Sequence, residues 1–145
     1  MKSNKLSDVG VLVLRVVLAL VILYYGSQKM LGTSGGAGLS GTLSAFKKDH
    51  FPEWLTMLAI ISEFCGGIAV LIGLFTRLAA FGIACTMAVA SWSNYSGAHE
   101  IKAAHLPLAL FGLAAGLIFL GSGAYSLDAV LFKNRGKPKQ GGPKP

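Results

Sequence analysis

Trp54–Phe75 reads WLTMLAIISEFCGGIAVLIGLF, an apolar run broken near its middle by one carboxylate, Glu63. A helix crosses the hydrocarbon of a bilayer with about 20 residues. The run is long enough to span, and an ionised Glu63 would then sit where insertion costs about 2.5–3.5 kcal/mol. A carboxylate at that depth needs a partner, and the chain offers two cations on a neighbouring run. Val9–Leu31, VGVLVLRVVLALVILYYGSQKML, is equally apolar and carries Arg15 and Lys29. Arg15, Ile22, Gly26 and Lys29 project within about 60° of one another on a helix turning 100° per residue.

Two further runs complete the pattern. Leu78–Tyr95 follows after the short turn Thr76-Arg77, and Ala103–Leu120 follows a polar loop, with Pro107 expected in its first turn, where a missing N–H costs little. Lys2 and Lys5 before the first run raise the possibility of a signal peptide. That run exceeds the usual apolar region of about 7–15 residues and lacks an A-x-A site, so it reads as a retained helix. The alternating strands of a membrane β-barrel are absent. The expected fold is all-α: an integral membrane four-helix bundle with antiparallel neighbours and short interfacial helices. Leu39, Leu43 and Phe46 mark one such helix, and Leu127–Phe132, N-capped by Ser126, a second. Residues 1–132 form the membrane domain, and 133–145, rich in Lys, Pro and Gly, a disordered basic tail.

Composition supports this reading. The chain has 145 residues, of which 53% are hydrophobic and 13% charged. Soluble domains carry about 25% charged residues, and this supply cannot cover a globule's surface. A soluble domain, a disordered chain and a disulfide scaffold are therefore excluded. The net charge of +7 comes without a basic face interleaved with aromatics, so anionic lipid rather than nucleic acid is its counterpart. Lys2, Lys5, Arg77 and the basic residues from Lys133 onward fall on one side of the expected bundle, against Lys29, Lys47, Lys48 and Lys102 on the other. The positive-inside rule then places both termini in the cytoplasm of an inner membrane.

The polar residues within the runs carry the functional expectation. Arg15 is the expected partner that holds Glu63, unless it snorkels to the cytoplasmic headgroups, and Lys29 is a second possible partner from the outer side. The pairing is either a buried ion pair that fixes helix register or the polar element of a ligand cavity or proton path. Tyr24, Tyr25, Gln28 and Lys29, with Trp92, Asn94, Tyr95, His99, Glu100 and His105, gather at one end of the bundle. They suit either an interfacial aromatic belt or the headgroup of a quinone-like amphiphile. His99-Glu100 and His105 lack the spacing of a metal site, and no metal is expected. Cys65 and Cys85 read as small buried hydrophobes. Gly66, Gly67 and the Gly112/Gly116 pair, with the Ala80/Ala84/Ala88 stripe, are expected to pack the helices, with self-association through the same faces as the alternative.

Arg15, Gly26-Ser27-Gln28-Lys29, Glu63-Phe64-Cys65-Gly66-Gly67, Leu71-Ile72-Gly73-Leu74-Phe75-Thr76-Arg77 and Gly121-Ser122-Gly123-Ala124-Tyr125-Ser126-Leu127-Asp128 together resemble the DoxX family of small prokaryotic membrane proteins. The resemblance covers residues 9–130; Ala124 departs from the usual aromatic or arginine there. It implies a four-helix membrane protein whose shared role rests on Arg15, Gln28, Lys29, Glu63, Arg77, Ser126 and Asp128. Some relatives are subunits of a thiosulfate:quinone oxidoreductase, and others belong to membrane complexes that handle thiol or oxidative stress. The expectation is a membrane subunit of a quinone- or thiol-linked redox complex, docking a redox protein and offering a quinone-like pocket at Glu63, Arg15, Lys29, Gln28, Tyr25, Trp92, Asn94 and His105. The alternative is a non-catalytic scaffold or assembly factor; a small-solute or lipid carrier is weakly motivated, since no inverted repeat is evident.

Overall fold

The structure is a computed structural model, and it describes residues 5–48, 50–96 and 102–132. The basic tail and the His99-Glu100 pair lie outside the described residues. Helix α1 occupies Lys5–Leu31, α2 Gly38–Lys48, α3 Glu53–Ile72, α4 Thr76–Ser96, α5 Lys102–Leu120 and α6 Leu127–Phe132. A single 3-10 turn, Thr33–Gly35, links α1 to α2. No strand occurs among the described residues.

The long helices form a ring in which α1 packs on α3, α3 on α4 and α4 on α5, with a lighter contact from α5 back to α1. The buried stripe of α1 is Val11, Arg15, Leu18, Ala19, Ile22 and Gly26, which follows the helical spacing of the sequence. Leu18, Ala19, Val70, Ala80, Ile83, Ala114 and Leu117 are wholly buried and form the dry centre. Large apolar side chains face outward instead, among them Leu58, Phe81, Trp92 and Phe119. Their outward exposure is what hydrocarbon solvent favours and water does not. Helices α1 and α3 are each long and apolar enough to cross a membrane, and Ala104–Leu120 is a shorter apolar helix. The molecule is an all-α helical bundle of a membrane protein.

Close backbone approach sets the α1–α3 pair. A Cβ on Gly26 would lie 3.2 Å from the Phe64 nitrogen, and one on Gly67 would lie 3.0 Å from Leu23. Gly66 faces Ile83 of α4. Gly112 and Gly116 differ from expectation: a Cβ at either would meet nothing within 4 Å, so this pair packs no helix within the described chain. Ala88 is likewise exposed while Ala80 and Ala84 are buried. Cys65 and Cys85 are also exposed rather than buried. Helix α5 begins by Lys102, which moves Pro107 from the first turn into the helix interior, where its ring leaves the Ala103 carbonyl without its helical donor.

One end of the bundle is tied by Arg15. Helix α3 stops at Gly73, whose φ of 75° suits glycine, and Leu74 donates back to the Ala69 carbonyl at 2.9 Å. Of the next carbonyls, Val70 O receives only the Gly73 N–H at 3.2 Å, and the helix leaves further acceptor capacity at this terminus. Arg15 fills that capacity: Nε donates to Val70 O at 3.0 Å and Nη2 to Leu71 O at 3.0 Å. Nη1 reaches the segment after α5, at 2.8 Å to Ser122 O and 2.7 Å to Tyr125 O. The guanidinium therefore joins α1, α3 and the α5–α6 segment, and its charge suits the negative end of the α3 dipole. Asp128 completes the tie from α6. Its carboxylate accepts from Phe75 N at 2.9 Å and Thr76 N at 3.3 Å, capping α4, and its own N–H donates to Gly73 O at 3.0 Å. Ser126 caps α6 as expected, accepting from Ala129 N at 3.1 Å. Arg77 lies over the end of α5, 3.5 Å from Phe119 O.

Arg15→Ala removes donors from four carbonyls and should lower stability by about 3 kcal/mol or more, a loss Arg15→Lys restores only in part because an ammonium lacks the planar fork. Thermal unfolding in detergent micelles checks both variants.

Candidate ligand site

The α1–α3 approach at Gly26 places Lys29, one turn further along α1, against Glu63. The ammonium lies 2.7 Å from Glu63 Oε1 and 2.7 Å from Oε2. Glu63 is 1% exposed and the Lys29 side chain 30%, so the burial of the pair falls mainly on the carboxylate. A carboxylate held symmetrically by one ammonium is a strong, charge-assisted arrangement. Lys29 is thus the partner of Glu63. Arg15, expected to hold Glu63, instead donates to backbone carbonyls at the C-terminal end of α3 and after α5.

Helix α2 lies across the Lys29 end. Thr42 donates to the Lys29 carbonyl at 3.3 Å, and the ring of Phe46 meets Phe51 edge-on with centroids 5.9 Å apart. Lys47 donates to Glu53 at 2.9 Å, which raises the Lys47 pKa above the ordinary lysine value, through the hydrogen bond first and the charge second. Both groups are exposed, so the pair adds little stability.

Beneath α2 are two open clefts. The first, about 350 Å³, lies between α3 and α4 and has Lys29 and Glu63 in its wall. The second, also about 350 Å³, lies between α1, α4 and α5 and is lined by Tyr25, Lys29, Asn94 and Leu110 among others. Of the residues expected to form a pocket, Glu63 and Lys29 meet, and Tyr25 and Asn94 line the second cleft. Gln28 lines neither; its backbone is covered by Gly36, where a Cβ would come within 2.7 Å of the Gln28 Cα. Trp92 and His105 are exposed and line neither cleft. The sequence reading missed the α4 wall of Gly82, Cys85, Thr86, Ala90 and Ser93, together with Phe46, Phe51 and Thr56. Gly82, Thr86, Ala90 and Ser93 follow helical spacing, so a face of small and hydroxylated residues was the available signal. Among the described residues no group of three or more His, Cys, Asp and Glu side chains is placed to hold a metal ion.

A model of the DoxX family matches residues 10–96, more than half of the chain. The chain belongs to the DoxX family. It is 32% identical over 133 residues to the inner membrane protein YqjF of Escherichia coli (strain K12), covering 90% of this chain and 98% of that one. It is 26% identical over 132 residues to a protein of Bacillus subtilis (strain 168) named "Putative oxidoreductase CatD", covering 91% of this chain and 94% of that one. No solved structure matches the chain. The DoxX chain is accordingly a membrane protein.

Removing one member of a buried pair leaves an uncompensated charge. Lys29→Met in this DoxX protein should therefore destabilise it by about 3–5 kcal/mol, and adding Glu63→Gln should recover most of that loss. A double-mutant cycle on thermal unfolding measures both numbers.

Proposed function

We propose that this protein is a membrane subunit of a redox complex that holds a quinone-type carrier against Lys29 and Glu63. One observation carries the proposal: a bidentate ion pair stands in the wall of an apolar cleft of about 350 Å³. That volume lies in the range of about 300–1,000 Å³ usual for small-molecule sites, which combine apolar walls with few polar groups. The donor chemistry fits. Lys29 has N–H groups to offer a carbonyl oxygen, and Glu63 can accept from a hydroxyl or hold the ammonium in place. The pair is neutral overall, which suits an uncharged headgroup, and Phe46, Phe51 and Phe81 supply ring surfaces for its flat face. A bound quinone supplies a lipid-soluble carrier of electrons and protons. The protein's own part is to orient the headgroup and to hold a proton donor beside it, with electrons delivered by a redox protein docked on the complex. In this arrangement α1, α3, α4 and α5 cross the inner membrane, both termini are cytoplasmic, and the Lys29 end faces outward.

The test is binding of a radiolabelled short-tail ubiquinone to the purified protein in nanodiscs. Lys29→Ala and Glu63→Gln should each weaken binding about tenfold or more, the worth of a hydrogen bond to a charged group. Thr86→Leu, which fills the first cleft without touching the pair, should weaken it as well, and Trp92→Phe and His105→Ala should leave it unchanged. Folded Lys29→Ala, Glu63→Gln and Thr86→Leu proteins that bind like the parent would refute the reading and favour a scaffold.

A further inference from the structure

The two clefts share Lys29, Phe46, Ala90 and Ser93, so the ammonium stands at their junction, whereas Glu63 lines the first alone. Their walls differ in chemistry. The first follows α4 from Phe81 to Ser93, about 18 Å at a rise of 1.5 Å per residue. Two of its hydroxyls are spent on their own helices, Thr56 donating to Pro52 O at 3.4 Å and Thr86 to Gly82 O at 2.9 Å. An occupant of this cleft meets mostly apolar side chains apart from the ion pair and the Ser62 and Ser93 hydroxyls. The second cleft opens at the Lys29 end between three helices, and there Tyr25, Ser93 and Asn94 join Lys29. Toward the Arg15 end the bundle axis is closed by Leu18, Ile83, Ala114 and Leu117, each 0% exposed.

We propose that the second cleft is the aqueous branch of the site, bringing water from the Lys29 face of the membrane to the ammonium, while the first is the lipid branch through which an amphiphile enters. An ammonium is strongly hydrated, the Lys29 side chain that carries it is 30% exposed, and this residue lines both clefts with Glu63 in the wall of the first alone. A polar cleft of this size holds water stably when several polar groups are at hand, whereas an apolar one stays dry. Proton exchange at the site is then one-sided. The titratable groups facing the pair are Tyr25 from α1 and Cys85 from α4; the walls contributed by α2 and α5 are Phe46 and Leu106, Pro107 and Leu110, which do not titrate. His105 of α5 lines neither cleft. A proton therefore passes between outside water and Glu63, or a headgroup beside it, through Lys29. No equivalent path leads to the Arg15 end, where the guanidinium is spent on carbonyls behind the dry centre. The delivery of protons to a headgroup rests on the function proposed above; the water path itself does not.

Thiol labelling in oriented vesicles tests this without any redox readout. In a Cys65→Ser/Cys85→Ser background, Leu110→Cys and Met87→Cys report on the second cleft and Leu58→Cys on the first. A charged, membrane-impermeant methanethiosulfonate applied to the Lys29 face should label Leu110→Cys and Met87→Cys at least several-fold faster than when applied to the opposite face. Leu58→Cys should react with a lipophilic maleimide and resist the charged reagent. Adding Lys29→Met should slow the charged labelling by drying the cleft. Failure of both second-cleft cysteines to react with the charged reagent in monodisperse protein, or equal labelling from the two faces, would overturn the proposal. Labelling as expected in a protein that binds no quinone would keep the water path and remove the headgroup.

Discussion

Three nitrogens of Arg15 donate to four main-chain carbonyls drawn from α3 and from the segment after α5. Hydrocarbon offers no water to a helix terminus, so every backbone group left without a helical partner must find one inside the protein. Arg15 meets that demand at the end of α3, and Asp128 meets it at the start of α4. The three-residue connection between these helices is possible because both of its open ends are satisfied from outside. The same contacts hold the chain after α5 against the bundle. The first cleft lies between α3 and α4, toward the Lys29 end.

Charge obeys the same rule at the Lys29 end. A buried carboxylate without a counter-ion would be costly in this medium, and Lys29 reaches Glu63 because Gly26 lets α1 and α3 come within one Cβ contact. Packing and electrostatics are therefore one feature here. A side chain on Gly26 would push the helices apart and lengthen the ion pair together. The Lys29 side chain is 30% exposed against 1% for Glu63, so the burial of the pair falls mainly on the carboxylate.

The family relationship bears on both ends. Arg15, Lys29, Glu63, Arg77, Ser126 and Asp128 all carry the resemblance to DoxX proteins, yet they divide into two groups more than half a helix apart. Arg15, Arg77, Ser126 and Asp128 bond to main-chain groups and hold helix termini. Lys29 and Glu63 bond to each other beside open space. The residues that carry the resemblance thus play two physical parts, holding helix termini at one end and forming an ion pair at the other.

The sequence by itself determined the fold class and put Arg15, Ile22 and Gly26 on one face of α1, because run length and helical period are local properties of the chain. It also marked Glu63 as a group in need of a cation, since depth in an apolar run follows from position alone. The choice between Arg15 and Lys29 was decided only by tertiary structure. Both lie on one face of α1, and which of them meets Glu63 depends on the axial offset of α1 against α3, set by Gly26 and Gly67 at their contact. The carbonyls that claim Arg15 are main-chain atoms and leave no mark in residue type. The α4 wall of the clefts, and the open faces of Gly112 and Gly116, were likewise settled by how far α4 and α5 turn about their axes when packed, a rotation that no local pattern records.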